Sequence, residues 1–408
     1  MTELLYYEYP TVTECTAKVL SCAEKDGKYL VALDRTMIFP EGGGQLPDGG
    51  SIEGPGGKAS VTDCRTVNGE VLHYCTAPFA PGERVILRLD LPRRLDHSEQ
   101  HTGEHILSGL ASKLFGAKNV GFHMAETYCT IDLDIPLEPE QLEELELAAN
   151  AAVRADLPVH TEITDEADAL NRPLRKRAEK AQGEVRIVYI DNGKVDSCTC
   201  CGTHLARTGM VGAIRITDAQ HYKGGTRLWF ACGKRAAEAG IAEHSALTAL
   251  ARQYSTSREE LPKAIRKQSE ELALLKAELK QKSAVLAAQT ADSLMKSAAV
   301  SGKTAVVCEM LSGMNANDLK LITDALAASG ASAPWIALVF APSAAGTDYR
   351  MACSAGSKLS MKELCSAVNA AVNGKGGGSP VFAQGKTERQ VDEETVAMLK
   401  NYILRAAE

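Results

Sequence analysis

Between residues 16 and 40, apolar and polar positions alternate along TAKVLSCAEKDGKYLVALDRTMIFP, the period-two pattern of half-buried strands. The run EGGGQLPDGG (41–50) breaks that pattern with turn residues, and KASVTDCRTVNGEVLHYC (58–75) predicts a hairpin reversing at Asn68-Gly69. Residues 1–90 therefore read as a β-rich subdomain. From about 97 the period changes. Ile106, Leu107, Leu110 and Leu114 make a helical stripe that begins at HTGEH, and the alternation in GAKNVGFHMAETYCTIDLDI (116–135) favours a strand. Pro139 sits near the start of an amphipathic helix in EPEQLEELELAANAAVRAD (138–156), whose early acidic residues suit the helix dipole. VRIVYI (185–190) predicts a short central strand, with a turn at DNGK after it.

Glycine almost disappears between about 235 and 298, where Ile265, Leu272, Leu279 and Leu286 repeat every seven residues. Leu275 adds only one strong position to a second stripe, so the pattern predicts a long helix or short coiled coil, an arm or spacer entered by a turn near SREELP. The end of the chain reads as a small α/β unit. TAVVCEML, WIALVF and YRMACSA are its strands, NANDLKLITDALAAS and SMKELCSAVNAAV its helices, and NGKGGGSPVFAQGK a glycine-rich loop before a final helix. The expected fold class is thus α+β and multidomain. Its parts are a β-rich N-terminal subdomain (1–90), an α+β core (91–240), a helical arm (241–298) and a C-terminal α/β domain (299–408).

A length of 408 residues agrees with two or three domains, and 45% hydrophobic with 24% charged residues indicates a folded chain. No stretch reaches the roughly 20 apolar residues of a membrane span, and MTELLYYEYPTVTE lacks the regions of a signal peptide. A cytoplasmic location is expected, and there the 12 cysteines are not a disulfide framework. Nine are scattered, whereas Cys198, Cys200 and Cys201 crowd into SCTCCGTH (197–204). A net charge of -7 argues against a nonspecific nucleic-acid binder but leaves room for a local patch. Arg172, Arg175, Lys176, Arg177 and Lys180 form the one dense run, which is also what a solvated helix face looks like.

Candidate metal chemistry comes from two pairs. His101 and His105 are four apart on a helical stripe and project from one face, while Cys200 and His204 have the same spacing in a Gly-Thr turn. Mixed imidazole and thiolate ligands suit zinc. Two other readings fit the spacing. HTGEH satisfies the HxxEH pattern of a zinc metallopeptidase with Glu104 as base, and Cys198 could replace a histidine in a structural site.

Together, DRTMIFPEGGGQLPDGG, HTGEH, CCGTHLARTG and the terminal GKGGGSPVFAQGK resemble the alanyl-tRNA editing family in its long free-standing form. The resemblance covers nearly the whole chain, with an editing portion over about 1–240 and an end similar to the RNA-associated DHHA1 domain. It implies ATP-independent hydrolysis of mischarged seryl-tRNA(Ala), with glycyl-tRNA(Ala) as a second candidate substrate. It also implies one zinc per chain on His101, His105, Cys200 and His204, with Cys198 and Cys201 as neighbours. Four protein ligands leave no open position, so zinc is read mainly as an organiser. Gly42, Gly43 and Gly44 become candidates to wall the aminoacyl pocket, Thr36 to bind the serine hydroxyl, and Gln45 to place the ester or attacking water. The expected RNA contacts are Arg172, Arg175, Lys176, Arg177, Arg227, Lys375, Gly376, Gly377 and Gly378, with a structural salt bridge explaining Arg227 equally well. His123 is as well explained by strand packing as by substrate contact. Competing functions are a non-catalytic tRNA-binding protein on an editing fold and the metallopeptidase; a phosphoesterase is disfavoured because no DHH motif is present. A homodimer through the arm or the C-terminal domain is the candidate assembly, with no membrane partner.

Overall fold

The structure is a computed structural model that describes residues 2–8, 10–177 and 184–408, so Lys180 of the basic run lies outside the described residues. The chain divides into two units, Met1–Leu250 and Ala251–Glu408. The β-rich subdomain and the α+β core expected as separate parts fall within the first.

A closed six-stranded antiparallel barrel opens the first unit, in the order Glu14–Lys25, Lys28–Leu33, Glu70–Cys75, Gly57–Val67, Gly50–Gly54 and Arg84–Leu89. The predicted hairpin is present, reversing through Asn68 and Gly69 at φ 52° and 81°. Positive φ at both central positions matches the right-handed twist of the flanking strands. Alternate residues such as Val19, Val31, Leu33, Ile52 and Leu87 fill the barrel.

The helix Leu91–Phe115 follows, capped by Asp90, whose side chain accepts from the Arg93 N–H. It starts ten residues before His101, so HTGEH lies in the middle of the helix rather than at its start. Arg94 anchors the helix to the barrel side. Its guanidinium pairs with Asp48 and donates to the Met37 and Pro10 carbonyls, and Asp48 also takes the Phe39 N–H at 2.7 Å. Both charged groups are almost wholly buried. A buried pair of this kind strongly penalises loss of either partner. The two stretches flanking the EGGG turn are thereby tied to the helix that carries His101 and His105.

That helix and Pro139–Arg154 cover one face of a four-stranded antiparallel sheet, ordered Ile214–Tyr222, Gly225–Cys232, Cys129–Leu133 and Asn119–Met124. The segment expected as one strand over 116–135 is a hairpin. A smaller sheet, Val159–Asp165, Glu184–Ile190 and Asp196–Thr199, has the VRIVYI strand at its centre as predicted.

In the second unit, the helix Leu261–Lys296 leads into a six-stranded mixed sheet carrying the helices Ala316–Ala328, Met361–Val372 and Glu393–Ala406. Ile265, Leu272, Leu279 and Leu286 are all exposed on the long helix, whereas Ala287, Ala291 and Leu294 pack onto the sheet core. The glycine-rich segment expected to be a loop instead forms two paired strands, Lys375–Gly378 and Phe382–Thr387. Its glycines serve close approach: a Cβ on Gly385 or Gly376 would lie 2.1 or 2.5 Å from the Tyr349 hydroxyl. Sequence alone cannot separate that use of glycine from the freedom of a loop.

Candidate metal centre and cavity

Helical spacing aligns His101 and His105, and the turn after the strand Asp196–Thr199 brings Cys200 and His204 against them. The four ligand atoms lie within 4.8 Å of one another. Cys200 Sγ is 3.3 Å from His101 Nε2 and 3.4 Å from His204 Nε2. Each imidazole is aimed by its other nitrogen. His101 Nδ1–H donates to Gln45 Oε1 at 2.8 Å, His105 Nδ1–H donates to Asp196 Oδ2 at 2.8 Å, and His204 Nδ1 faces Thr102 Oγ1 at 3.5 Å. The Nε2 lone pairs are thus left for a common target, the arrangement a metal-binding histidine requires. Gly202 is required here because a Cβ would sit 2.1 Å from the His101 ring.

The electrostatics suit a cation. Burial pushes the Cys200 thiol up, but His101 and His204 outweigh it and bring the thiol well below its ordinary value. Burial, with His105 adding to it, lowers His204 to about 3. Burial also opposes ionisation of Asp196, yet His105 and Arg175 hold that carboxyl down to about 2. With a folded value below the unfolded one of about 3.9, Asp196 contributes stability above that pH and loses it as pH falls towards about 2. The chemistry of the donors and their convergence fit a divalent ion.

These residues face a cavity of about 640 Å³, walled by Leu4, Tyr7, Gly43, Gly44, Phe122 and the 175–177 segment among others. Gly42 and Gln45 close a two-residue turn through Gly43 and Gly44, at φ 61° and 81°. A Cβ on Gly44 would meet Phe122 at 2.8 Å, and one on Gly43 would crowd the Cys201 thiol at 3.1 Å. Phe122 stacks on His101 with centroids 5.1 Å apart. Glu104 also lines the cavity. Its Oε1 accepts from Ser108 at 2.5 Å and Asn119 at 2.6 Å, while Oε2 lies 3.7 Å from His105 Nε2.

Comparison with known proteins now bears on this geometry. Residues 185–229 match the family described as "Threonyl and Alanyl tRNA synthetase second additional domain", and residues 2–93 match "tRNA synthetases class II (A)". The chain is 36% identical over 243 residues to the alanyl-tRNA editing protein AlaX-L of Pyrococcus horikoshii, covering 58% of this chain and 59% of that protein. It is 33% identical over 239 residues to alanyl-tRNA editing protein Aarsd1-A of Xenopus laevis, covering 55% and 57%. Over these matched residues the chain is similar to the AlaX-type alanyl-tRNA editing proteins. It therefore spans somewhat over half the length of these AlaX-type relatives. A match to alanine–tRNA ligase of Methanothrix thermoacetophila, 34% identical, covers 58% of this chain but only 26% of that enzyme. A solved C-Ala domain of Aquifex aeolicus alanyl-tRNA synthetase aligns with 27% of this chain and 96% of that domain at 14% identity, with a TM-score of 0.24, too slight a likeness to build on.

Within this chain the expected site residues separate into groups. Gly43, Gly44, His101, His105, Cys200, Arg175, Lys176 and Arg177 share the cavity wall, with His204 beside them. Gln45 is buried behind His101. Its Oε1 also takes the Thr203 N–H at 3.0 Å and its Nε2 donates to Thr203 Oγ1 at 2.8 Å, so its amide aims a histidine rather than facing substrate. Thr36 is fully buried on the short strand Arg35–Thr36, against the barrel, its hydroxyl 2.8 Å from His73 Nε2, and it is not part of the cavity lining. Arg172 is held by Glu162 and Asp168. Arg227 forks onto Asp132 at 2.6 and 2.7 Å and lies over the Tyr222 ring at 3.8 Å. The guanidinium reads there as a structural ion pair. His123 is exposed, since strand alternation sends Phe122 towards His101 and its neighbour away. Lys375 and Gly376–Gly378 form an exposed strand in the second unit.

Sequence reasoning missed Asp196, Thr203, Asn119, Phe122 and Arg186. Arg186 donates to the Cys200 and Gly202 carbonyls at 2.9 and 2.8 Å, holding the ligand loop from the central strand. Its only signal was a cation inside the apolar run VRIVYI. Cys198 lies on the Nδ1 side of His105 at 3.7 Å, and Cys201 is exposed.

Proposed function

We propose that this chain hydrolyses mischarged seryl-tRNA(Ala) in trans as a zinc-dependent aminoacyl-tRNA deacylase, with glycyl-tRNA(Ala) as a second substrate and the cytoplasm as its place of action. The carrying observation is the convergence of His101, His105, Cys200 and His204 on one wall of a cavity that also bears Lys176 and Arg177. A cavity of this volume is in the usual range for a small ligand, here an aminoacyl ester on a terminal adenosine. The two cations suit the phosphates that lead to it.

His101, His105, Cys200 and His204 would hold the zinc, which when bound would organise these side chains and place positive charge beside the reacting ester. Glu104 Oε2 accepts the proton of the attacking water, because Oε1 is already held by Ser108 and Asn119 while Oε2 lies 3.7 Å from His105 Nε2. Gly43 and Gly44 give the substrate close access to backbone, and Phe122 shields the centre from solvent. The exposed Lys375–Gly378 strand is the proposed contact with the tRNA backbone in the second unit.

Selectivity rests on the serine hydroxyl. His73 Nδ1–H donates to the Val31 carbonyl at 3.0 Å, leaving Nε2 to accept from Thr36. Thr36 also takes the Ile38 N–H at 3.1 Å, leaving one lone pair as the proposed acceptor of the serine hydroxyl, a contact that requires this buried side chain, outside the cavity lining, to be uncovered by the substrate. The test is a deacylation assay on tRNA(Ala) charged separately with Ser, Gly and Ala. Fast serine release and little alanine release are expected, and Thr36→Val should keep its metal while the seryl-to-alanyl ratio falls. Equal rates on all three, or none, would reject selective editing, and peptide turnover would favour the metallopeptidase. An unchanged ratio in Thr36→Val would return that residue to barrel packing.

A further inference from the structure

We infer that Arg175 is a positioning residue of the metal centre, acting through Asp196 on His105, and not a cation that binds RNA. The inference rests on the metal-centre reading above, but its readout is ion affinity, so it can fail while the deacylase assignment stands.

Arg175 Nε donates to Asp196 Oδ1 at 2.6 Å and Nη2 donates to Oδ2 at 3.0 Å. Oδ2 is the oxygen that receives the His105 Nδ1–H. The Asp196 side chain is fully buried and that of Arg175 is 9% exposed, so the fork is fixed in two dimensions with little solvent to compete. Arg175 is also held by its own backbone. Its N–H donates to the Ser197 carbonyl at 2.8 Å, and the Thr199 N–H donates to the Lys176 carbonyl at 3.1 Å. The segment thus runs as an extra edge beside the strand Asp196–Thr199 and cannot swing out towards a phosphate without leaving a buried carboxylate unpaired.

A second metal between His105, Asp196 and Cys198 is the obvious alternative, because their ligand atoms also lie within 4.8 Å of one another. Arg175 already occupies that role. Its guanidinium reaches both carboxylate oxygens and lies 3.7 Å from Cys198 Sγ, placing a fixed positive charge where the ion would have to sit. What remains is a chain from guanidinium to carboxylate to imidazole that fixes the His105 tautomer and points Nε2 at the first centre. Lys176 and Arg177, next along the same segment, line the cavity and are left for the substrate.

The experiment measures the affinity of the full chain for Zn²⁺ by competition with a chromophoric chelator, with seryl-tRNA kinetics at limiting and saturating zinc. Arg175→Met and Asp196→Asn should each weaken zinc binding by about 10–100-fold, and the double variant should lose little more than either single one. Activity lost at limiting zinc should return at saturating zinc without a rise in KM. Lys176→Ala should raise KM and leave zinc affinity unchanged. Should Arg175→Met fail to fold, Arg175→Lys keeps the charge but not the two-pronged fork, and weakened zinc binding is again the expected result. Unchanged zinc affinity in the folded Arg175 variants overturns the inference. If their KM rises with a salt slope reduced by about 1, Arg175 is a phosphate contact instead.

Discussion

Cys200→Ser should lose bound metal and seryl-tRNA hydrolysis together. The thiol lies between His101 and His204, is brought well below its ordinary ionisation range by them against burial, and accepts the Gly202 N–H at 3.3 Å. Serine keeps the shape but not an anion at neutral pH, so the loss of affinity should exceed the roughly 100-fold that a supporting residue costs. Cys198→Ser and Cys201→Ser should retain their metal. Cys198 is on the far side of the His105 ring and Cys201 points its thiol at the Gly43 turn. Elemental analysis of the three variants decides the ligand set. Metal that follows Cys198 rather than Cys200 would reverse it.

The second large effect belongs to Glu104. Glu104→Gln preserves size and the hydrogen bond from Asn119 but removes the charge that takes a proton. If Oε2 is the proton acceptor, kcat should fall by about 10²–10⁴-fold with KM and metal content unchanged. Loss of metal would instead make the carboxylate part of the ion's holding set, and an unaltered kcat would remove it from the reaction. The test matters because four protein ligands would fill zinc's usual four positions, which leaves proton transfer to a group outside the set.

Patterns carried by neighbouring residues were legible in the sequence. The Asn68-Gly69 reversal, the helix with His101 and His105, the central strand 185–190 and the two ligand pairs all follow from spacing of four residues or fewer, or from period-two alternation. Contacts between distant residues were not. His105 and Asp196 are 91 positions apart, and an aspartate in DSCT looks like any polar turn residue until the fold brings it to the imidazole. Arg175 misled for a related reason: in RPLRKR it is one charge among several, and only burial against Asp196 separates it from Lys176 and Arg177. The glycines at 376–378 and 385 suggested a loop because removal of a side chain looks the same whether it frees the backbone or lets Tyr349 approach it.

The central claim, that the four converging residues make this chain a metal-dependent editing deacylase, is tested most directly by stripping the metal and titrating Zn²⁺ back while serine release from seryl-tRNA(Ala) is followed. The account predicts a protein that remains folded but inactive without the ion and regains full activity at one zinc per chain. Undiminished serine release from the metal-free protein would contradict it.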